Sequence, residues 1–484
     1  MTMTDAQPKT IGELRRGEYR VLPIKEELRK NLVARLRQSD DAPLFPGVVG
    51  YEDTVIPQVE NAILSGQDIV LLGERGQAKT RLARSLVTLL DDEVPYIAGC
   101  EINDNPYEPA CAACKAKVAA HGDDIEIAWL RREDRYGEKL ATPDITIADL
   151  IGEIDPVKVA EGRYLSDEET IAYGLIPRTN RGIFCLNELP DLAERIQVGL
   201  LNIMEERDVQ IRGYKIRLPL DVYVVASANP EDYTNRGRII TPLKDRIGSE
   251  IRTHYPRTIE GEVAIMEQEA APIGVSGLQI IYPDYMKEII AEVTHLARKN
   301  PDISKRSGVS VRVSISNYEN VLSNAVRRAV RLGEQQVSPR ISDFSAVLAS
   351  TAGKIELETV GDVDENRLIE RIVQGAIVNV WNRHFLMADF ESLLGRFDRG
   401  FGVDAADDLP SSHYLKGLED IKGLKDQVVK IGGQGSPAAI ASAVEFIMEG
   451  LHLNRKLNKD RAAGKTRYSG NSGGSGNSGS RRDR

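Results

Sequence analysis

The sequence predicts an α/β fold: a parallel sheet covered by helices, followed by a helical lid and a further helical C-terminal region. Three observations predict it. Short β-rich runs, Asp68–Leu72, Gly182–Leu186 and Val222–Ser227, alternate with amphipathic helical stretches between Phe45 and about Tyr255. That alternation is the pattern of a sheet buried on both faces. A glycine-rich turn joins the first of these runs to a helical pattern, and from about Arg257 onward apolar residues recur at helical spacing.

Composition sets the frame. At 484 residues the chain is long enough for two to four domains, with length to spare for a buried core. Its 63 basic and 73 acidic side chains leave a net charge of −10, which argues against nucleic acid as the main partner, because phosphate binding needs a basic stripe. Four cysteines do not make a disulfide scaffold in a chain of this length. No apolar run approaches the ~18 residues of a membrane span, and the opening MTMTDAQPKTIGELRRGEY carries no apolar signal core, so a cytoplasmic location is expected.

In chain order, residues 1–43 are polar and read as an N-terminal arm with a short helix around Lys25 to Arg37. Residues 44–257 are the expected α/β domain, interrupted by an insertion at 100–140. Residues 258–354 read as the helical lid: Ser316 with Glu319 suggests a capping box, followed by Val321, Leu322, Ala325, Val326 and Ala329 on one face. Residues 355–465 read as a third, mostly helical region, whose last helix has Ser436 as N-cap, Pro437 in the first turn and a stripe of Ile440, Val444, Ile447 and Leu451. Residues 466–484 are Gly/Ser-rich and read as a disordered tail.

The first chemical signal is GERGQAKT, comprising Gly73, Glu74, Arg75, Gly76, Gln77, Ala78, Lys79 and Thr80. It fits the pattern G-x-x-x-x-G-K-[ST], whose backbone N–H groups wrap phosphates while the lysine reaches the outer phosphates and the hydroxyl binds Mg²⁺. Ala78 stands where the pattern has glycine. Alanine disfavours positive φ, so the loop is expected to turn within ordinary dihedrals there. Leu82, Leu86, Leu89 and Leu90 then mark the following helix.

About a hundred residues later GIFCLNELPDL gives an apolar run ending in Asn187 and Glu188. Two acidic residues at such a strand end hold the water network of the metal and activate the attacking water. Here the first is an amide, so Glu188 is the expected water-polarising carboxylate and Asn187 a neutral acceptor. DVYVVASAN places Asn229 at the end of the next strand, and PLKDRIG offers Asp245-Arg246. An arginine delivered across a subunit boundary neutralises charge in phosphoryl transfer, although such Asp-Arg pairs are more often surface ion pairs; Arg312 shares that ambiguity.

The insertion carries Cys100, Cys111, Cys114 and His121. Three thiolates and an imidazole at this spacing are a candidate tetrahedral Zn²⁺ set that would pin the loop; free thiols, or a Cys111–Cys114 redox pair, are the alternatives. Cys185, mid-strand, reads as a small core residue.

Together these segments resemble the AAA+ ATPases of the magnesium-chelatase I-subunit and MoxR type, the helix-2-insert clade. GVVGYEDTVIPQVENAI (Gly47–Ile63) looks like the segment near the adenine, and GERGQAKT like the Walker A loop. DLIGEIDPVKVAEGR and YGLIPRTNRGIFCLNE resemble the run through the helix-2 insert, about 142–181, into Walker B. MEERDVQIRGYKIRLP (Met204–Pro219) looks like the pre-sensor hairpin with Gly213 at its turn, ASANPED like sensor 1, PLKDRIG like the arginine-finger segment and GVSVRVSI like the start of sensor 2. The match covers roughly Phe45 to Leu332.

The resemblance implies Lys79 and Thr80 on phosphate and Mg²⁺, Glu188 as catalytic carboxylate, Asn229 as sensor 1, Arg246 as a finger acting in trans and Arg312 as sensor 2. It implies ATP and Mg²⁺ as cofactors and a homo-oligomeric, hexameric ring that remodels a partner, usually one with a von Willebrand factor A domain. Two narrower functions stand beside the motor: the ATPase subunit of a chelatase that inserts Mg²⁺ into a porphyrin, and a nucleotide-gated scaffold that does not hydrolyse, because of Asn187. Nucleic-acid work is disfavoured. The activator signature Gly-Ala-Phe-Thr-Gly-Ala is absent, and Arg212, Lys215 and Arg217 form the sole local basic cluster near the expected hairpin.

Overall fold

The computed structural model describes residues 7–38, 43–161, 168–205, 208–210, 217–230, 238–305, 307–358, 364–406, 408–419, 423–462 and 465–470. They form two compact units, dividing after His254.

In the first unit the strands are β1 (Ile69–Leu72), β2 (Glu93–Ile97), β3 (Ile127–Arg131), β4 (Tyr136–Leu140), β5 (Gly152–Ile154), β6 (Ile171–Tyr173), β7 (Gly182–Asn187), β8 (Asp208–Gln210), β9 (Arg217–Pro219), β10 (Val222–Ala228) and β11 (Ser249–Arg252). Five of them make one sheet in the order β11-β1-β10-β7-β4, and every pairing in it is parallel. Alternate residues feed two cores. Ile69, Leu71, Ile183, Cys185, Tyr223 and Val225 point into one, while Val70, Leu72, Phe184, Leu186, Val222 and Ala226 point into the other. A period of two with both faces apolar is what makes these strands read as continuous hydrophobic runs. Cys185 is fully buried in this packing, as expected of a core residue.

All five strands run the same way, so their C-terminal ends share one edge. The register sets Leu72 of β1 beside Ala228 of β10 and Arg252 of β11, and Asn187 of β7 beside Leu140 of β4. Loops leaving that edge form the crevice where open α/β sheets bind ligands.

Two sequence boundaries in this unit are corrected by the structure. The expected insertion ended at residue 140, yet β4 is the edge strand of the main sheet; the inserted part is the antiparallel pair β2–β3 with helix Ala112–His121 between its strands. Residues 1–43, expected as an arm, pack instead. Helix α1 (Ile11–Arg16) buries Ile11 and Leu14 in one core, and helix α2 (Ile24–Arg37) buries Ile24, Leu28 and Leu32 in the other. Glu27 on α2 makes a bidentate pair with Arg135, at 2.7 and 2.6 Å, with both side chains nearly inaccessible.

The second unit contains the expected lid and the C-terminal region, and the two share one hydrophobic core running from Met266 to Tyr468. Strands β12 (Gln279–Ile280) and β13 (Gln336–Val337) pair in parallel. Strands β14 (Gly402–Ala405), β15 (Leu457–Ala462) and β16 (Lys465–Gly470) form an antiparallel sheet. Residues 466–470 were expected in the disordered tail; they pair because Tyr468 is buried and its hydroxyl donates to Glu449. The last long helix is Pro437–Leu453 with Ser436 accepting from the Ala439 N–H at 3.1 Å, as expected. The lid helix starts earlier than expected. It spans Val311–Leu332 with Ser310 as N-cap, so Ser316 and Glu319 lie inside it; their side chains accept from Lys354 and from the Ala271 N–H instead. No described helix is long and apolar enough to cross a membrane.

Candidate functional site

The glycine-rich loop leaves the C-terminal end of β1 and enters helix α3 (Lys79–Ser85), which continues as a tighter 3₁₀ turn over Leu86–Leu89. Its first glycine is forced by space. A Cβ at Gly73 would lie 1.9 Å from the Thr253 hydroxyl and 2.2 Å from Gln77 Oε1. Gln77 is buried and braces the loop from inside: its Oε1 accepts from Thr253 at 2.8 Å and from the Glu74 N–H at 3.1 Å. The Tyr51 hydroxyl donates to the Gln77 carbonyl at 2.7 Å, tying the segment before β1 to the loop.

The expectation for Ala78 fails. Its φ is +53°, ψ +19°, the left-handed conformation that costs a non-glycine residue about 1 kcal/mol. The loop keeps the backbone path of the glycine pattern and carries the methyl group on its exposed side.

Lys79 is 7% exposed. Its ammonium donates to the Gly73 carbonyl, to the Glu74 carbonyl at 2.9 Å and to Asn229 Oδ1 at 2.7 Å. The other end of the Asn229 amide donates to Glu188 Oε2 at 2.6 Å. A single amide thus joins the phosphate-loop lysine to the expected catalytic carboxylate. An amide is suited to this, accepting from an ammonium at one atom and donating to a carboxylate at the other. Glu188 itself sits at φ +56°, ψ +46°, and its N–H is held by the Ser227 hydroxyl at 3.2 Å. Non-glycine residues in this region cluster at functional sites, where the surrounding structure over-determines them.

Asn187 is buried beside them. Its Oδ1 accepts from Thr80 at 3.2 Å and from Ser227 at 3.1 Å. Its Nδ2 donates to Glu138 Oε1 at 2.8 Å, and Arg84 clamps both oxygens of Glu138 at 2.8 and 3.0 Å. Sequence reasoning missed Glu138. The signal lies in YGEKL, where the glutamate alternates as it must on a strand, although the sequence places this segment within the expected insertion. Glu138 supplies a carboxylate one strand away from the position where an amide replaces one.

Mg²⁺, which the fold implies, fits this arrangement in donor type: the Thr80 hydroxyl and Asn187 Oδ1 are hard oxygen donors at one point of the edge, leaving the remaining positions to water and phosphate. Bound there, the ion would supply positive charge that offsets the charge of the phosphates.

Of the other expected site residues, Arg246 ends helix Thr241–Arg246, and one of its guanidinium nitrogens donates to the Pro242 carbonyl at 3.0 Å. Arg312 is exposed in the first turn of Val311–Leu332, in the second unit. Glu74, Arg75 and Gly76 lie in the loop as expected, Arg75 exposed. The ends of the expected pre-sensor hairpin pair as β8 and β9, while Arg212, Gly213 and Lys215 lie outside the described residues. The cysteine cluster forms with one member exchanged. Cys100, Cys111 and Cys114 converge with Asp104, whereas His121 is exposed at the far end of helix Ala112–His121 and is not in the set. All four cysteines are free thiols. Hydrogen bonds from Cys111 and Cys114 hold the Cys100 thiol well below its ordinary range, and burial pushes the Asp104 carboxyl up.

The magnesium-chelatase subunit ChlI of Nephroselmis olivacea is 24% identical over 333 residues, 65% of this chain and 90% of that protein. The chloroplastic ChlI of Nicotiana tabacum is 28% identical over 264 residues, half of this chain and 55% of that protein. In sequence the chain is related to the magnesium-chelatase I subunits. A sequence-family description, the sigma-54 interaction domain, matches residues 159–248, the segment that holds Asn187, Glu188, Asn229 and Arg246. Among solved structures, the BchI–BchD complex of magnesium chelatase matches at 18% identity, over 69% of this chain and all of that one, with a TM-score of 0.36. NtrX from Brucella abortus with ADP matches at 15%, over 72% and 65%, with a TM-score of 0.38. Superpositions that loose add nothing to the fold already described.

Proposed function

We propose that this chain is an ATP-hydrolysing motor that assembles into a ring, remodels or activates a partner protein, and takes as that partner a protein with a von Willebrand factor A domain. One observation carries the reading: the Lys79–Asn229–Glu188 chain, in which the residue expected to hold the outer phosphate is linked through one amide to the residue expected to polarise water. Replacing the Lys79 ammonium's contact with Asn229 by a contact with phosphate frees that amide oxygen, and the orientation of Glu188 responds. Binding and hydrolysis are coupled through that contact.

The second reading is the ATPase subunit of a chelatase that inserts Mg²⁺ into a porphyrin. It is favoured by the names of the curated relatives; the porphyrin chemistry would lie on another subunit. The third, a nucleotide-gated scaffold, was motivated by Asn187, and the Glu138 carboxylate beside that amide weakens it.

The test of the site is ATP binding by the full chain, followed by fluorescent-nucleotide titration. Lys79→Ala is expected to lower affinity at least ~100-fold, about 2.7 kcal/mol, because it removes the charge the loop presents to phosphate. Affinity within a few-fold of the native chain would remove the loop from the nucleotide site.

A further inference from the structure

Outside the nucleotide site, one cluster of soft and charged side chains has no role in the function proposed above. Cys100 and Asp104 lie on the loop after β2, and Cys111 and Cys114 at the start of helix Ala112–His121. One donor atom from each lies within 4.8 Å of every other. Donors on a tetrahedral zinc with ~2.3 Å sulfur arms are about 3.8 Å apart, so the four are already gathered to within about 1 Å of that shell.

Two further observations point to an occupant. Asp104 is fully buried. Its Oδ2 accepts from the Cys111 N–H at 3.0 Å, while its Oδ1 has no hydrogen-bond partner among the described residues. A buried carboxylate oxygen without a donor is costly, and a cation removes that cost. The backbone is also arranged around the sulfurs: the Cys114 N–H donates to Cys111 Sγ at 3.3 Å, the kind of outer contact that fixes a metal-bound thiolate. The cavity wall adds Lys117 and Lys158, balanced by Glu101 and Glu168.

We propose that Cys100, Asp104, Cys111 and Cys114 bind one Zn²⁺ per chain as a closed structural site. Soft sulfur donors select zinc over Mg²⁺, and four protein ligands leave no open position for catalysis. The ion would join the loop after β2 to the helix behind it. That helix start is already tied to the β5–β6 segment, because Glu168 Oε1 accepts from the Ala112 N–H at 2.7 Å and from the Tyr173 hydroxyl at 3.3 Å. The zinc thereby holds the insertion against the segment leading to Walker B. Asp104 takes the place that sequence spacing gave to His121.

The experiment is metal analysis of the full chain, purified under reducing conditions without chelator and then equilibrated with Zn²⁺, beside Cys114→Ser, Asp104→Asn and His121→Ala. The expected result is one tightly held zinc in the native chain and in His121→Ala, below about a fifth in Cys114→Ser, and at least ~10-fold weaker retention against a chelator in Asp104→Asn. Substitution by Co²⁺ should give strong thiolate-to-metal absorption and the visible bands of a tetrahedral ion. Since Asp104→Asn keeps all three sulfurs, it reports on the carboxylate even where a cysteine variant fails to fold. Native chain with less than about a fifth of a zinc after equilibration, zinc lost in His121→Ala but kept in Asp104→Asn, or a Cys111–Cys114 disulfide under the same conditions would overturn the proposal.

Discussion

At the scale of the residue, the site depends on an amide matched to a carboxylate. Asn187 donates to Glu138 and accepts from Thr80 and Ser227. Restoring an aspartate at 187 therefore does not simply improve the metal site; it sets two carboxylates within hydrogen-bond distance and removes the donor that Glu138 faces. Asn187→Asp alone is expected to destabilise the first unit by roughly 1–3 kcal/mol and to lower ATP turnover. Adding Glu138→Gln should recover most of both, because the amide and the carboxylate have exchanged strands. A double-mutant cycle of unfolding free energies reads the coupling directly; additive effects would show that the contact carries no energy. The lysine, threonine and glutamate of this site were legible in the sequence because each sits at a fixed offset from a strand end. Glu138 and Ser227 were not, since what joins them to Asn187 is strand register. Ala78 was misjudged because residue propensity was weighed without the tertiary contacts that hold the loop's path.

At the scale of the element, the N-terminal helices show how a charge-rich segment becomes part of a core. Helix α2 exposes Glu26, Arg29, Lys30 and Arg37, yet Glu27 reaches inward to Arg135, and Arg135 Nε donates to the Arg181 carbonyl at 2.8 Å. Burial and the adjoining Arg135 push Arg181 down to about 10, so two guanidinium groups share a poorly hydrated place with Glu27 as a principal counter-charge. Glu27→Ala should cost about 3–5 kcal/mol, because it strands a buried cation; Glu27→Gln should cost less, since it retains one acceptor. Urea unfolding of the first unit checks this, and a loss below about 1 kcal/mol would mean that the pair behaves as a surface ion pair. The polar pattern of residues 1–43 concealed this role: one buried glutamate among many exposed charges has no mark in the sequence. Likewise, β16 was hidden by the Gly/Ser composition of the residues after it, although Tyr468 supplies the apolar anchor that a strand needs. The helices fared better. Ser436 and Pro437 located the start of Pro437–Leu453 to the residue, because capping chemistry is local.

At the scale of the whole molecule, the order of motifs along the chain was the most legible feature, and it carried the relationship to the magnesium-chelatase I subunits. Domain division was less legible. Lid and C-terminal region read as separate because their helical patterns are separate, but their apolar faces close on one another in a single core, which periodicity along one helix does not reveal. The proposed motor needs Glu188 to act on ATP bound by its own chain and Arg246 to act on a neighbour's. The measurement that tests this most directly is steady-state ATP hydrolysis by the full chain with Mg²⁺, run for the native protein, Glu188→Gln, Arg246→Ala and an equal mixture of the two variants. Hydrolysis in the native protein is expected to fall by ~100-fold or more in each variant, with nucleotide binding retained, and part of it should return in the mixture, where some sites pair an intact Glu188 with an intact Arg246. Undiminished hydrolysis in Glu188→Gln would contradict the assignment of the site, and two inactive variants whose mixture stays inactive would contradict the shared one.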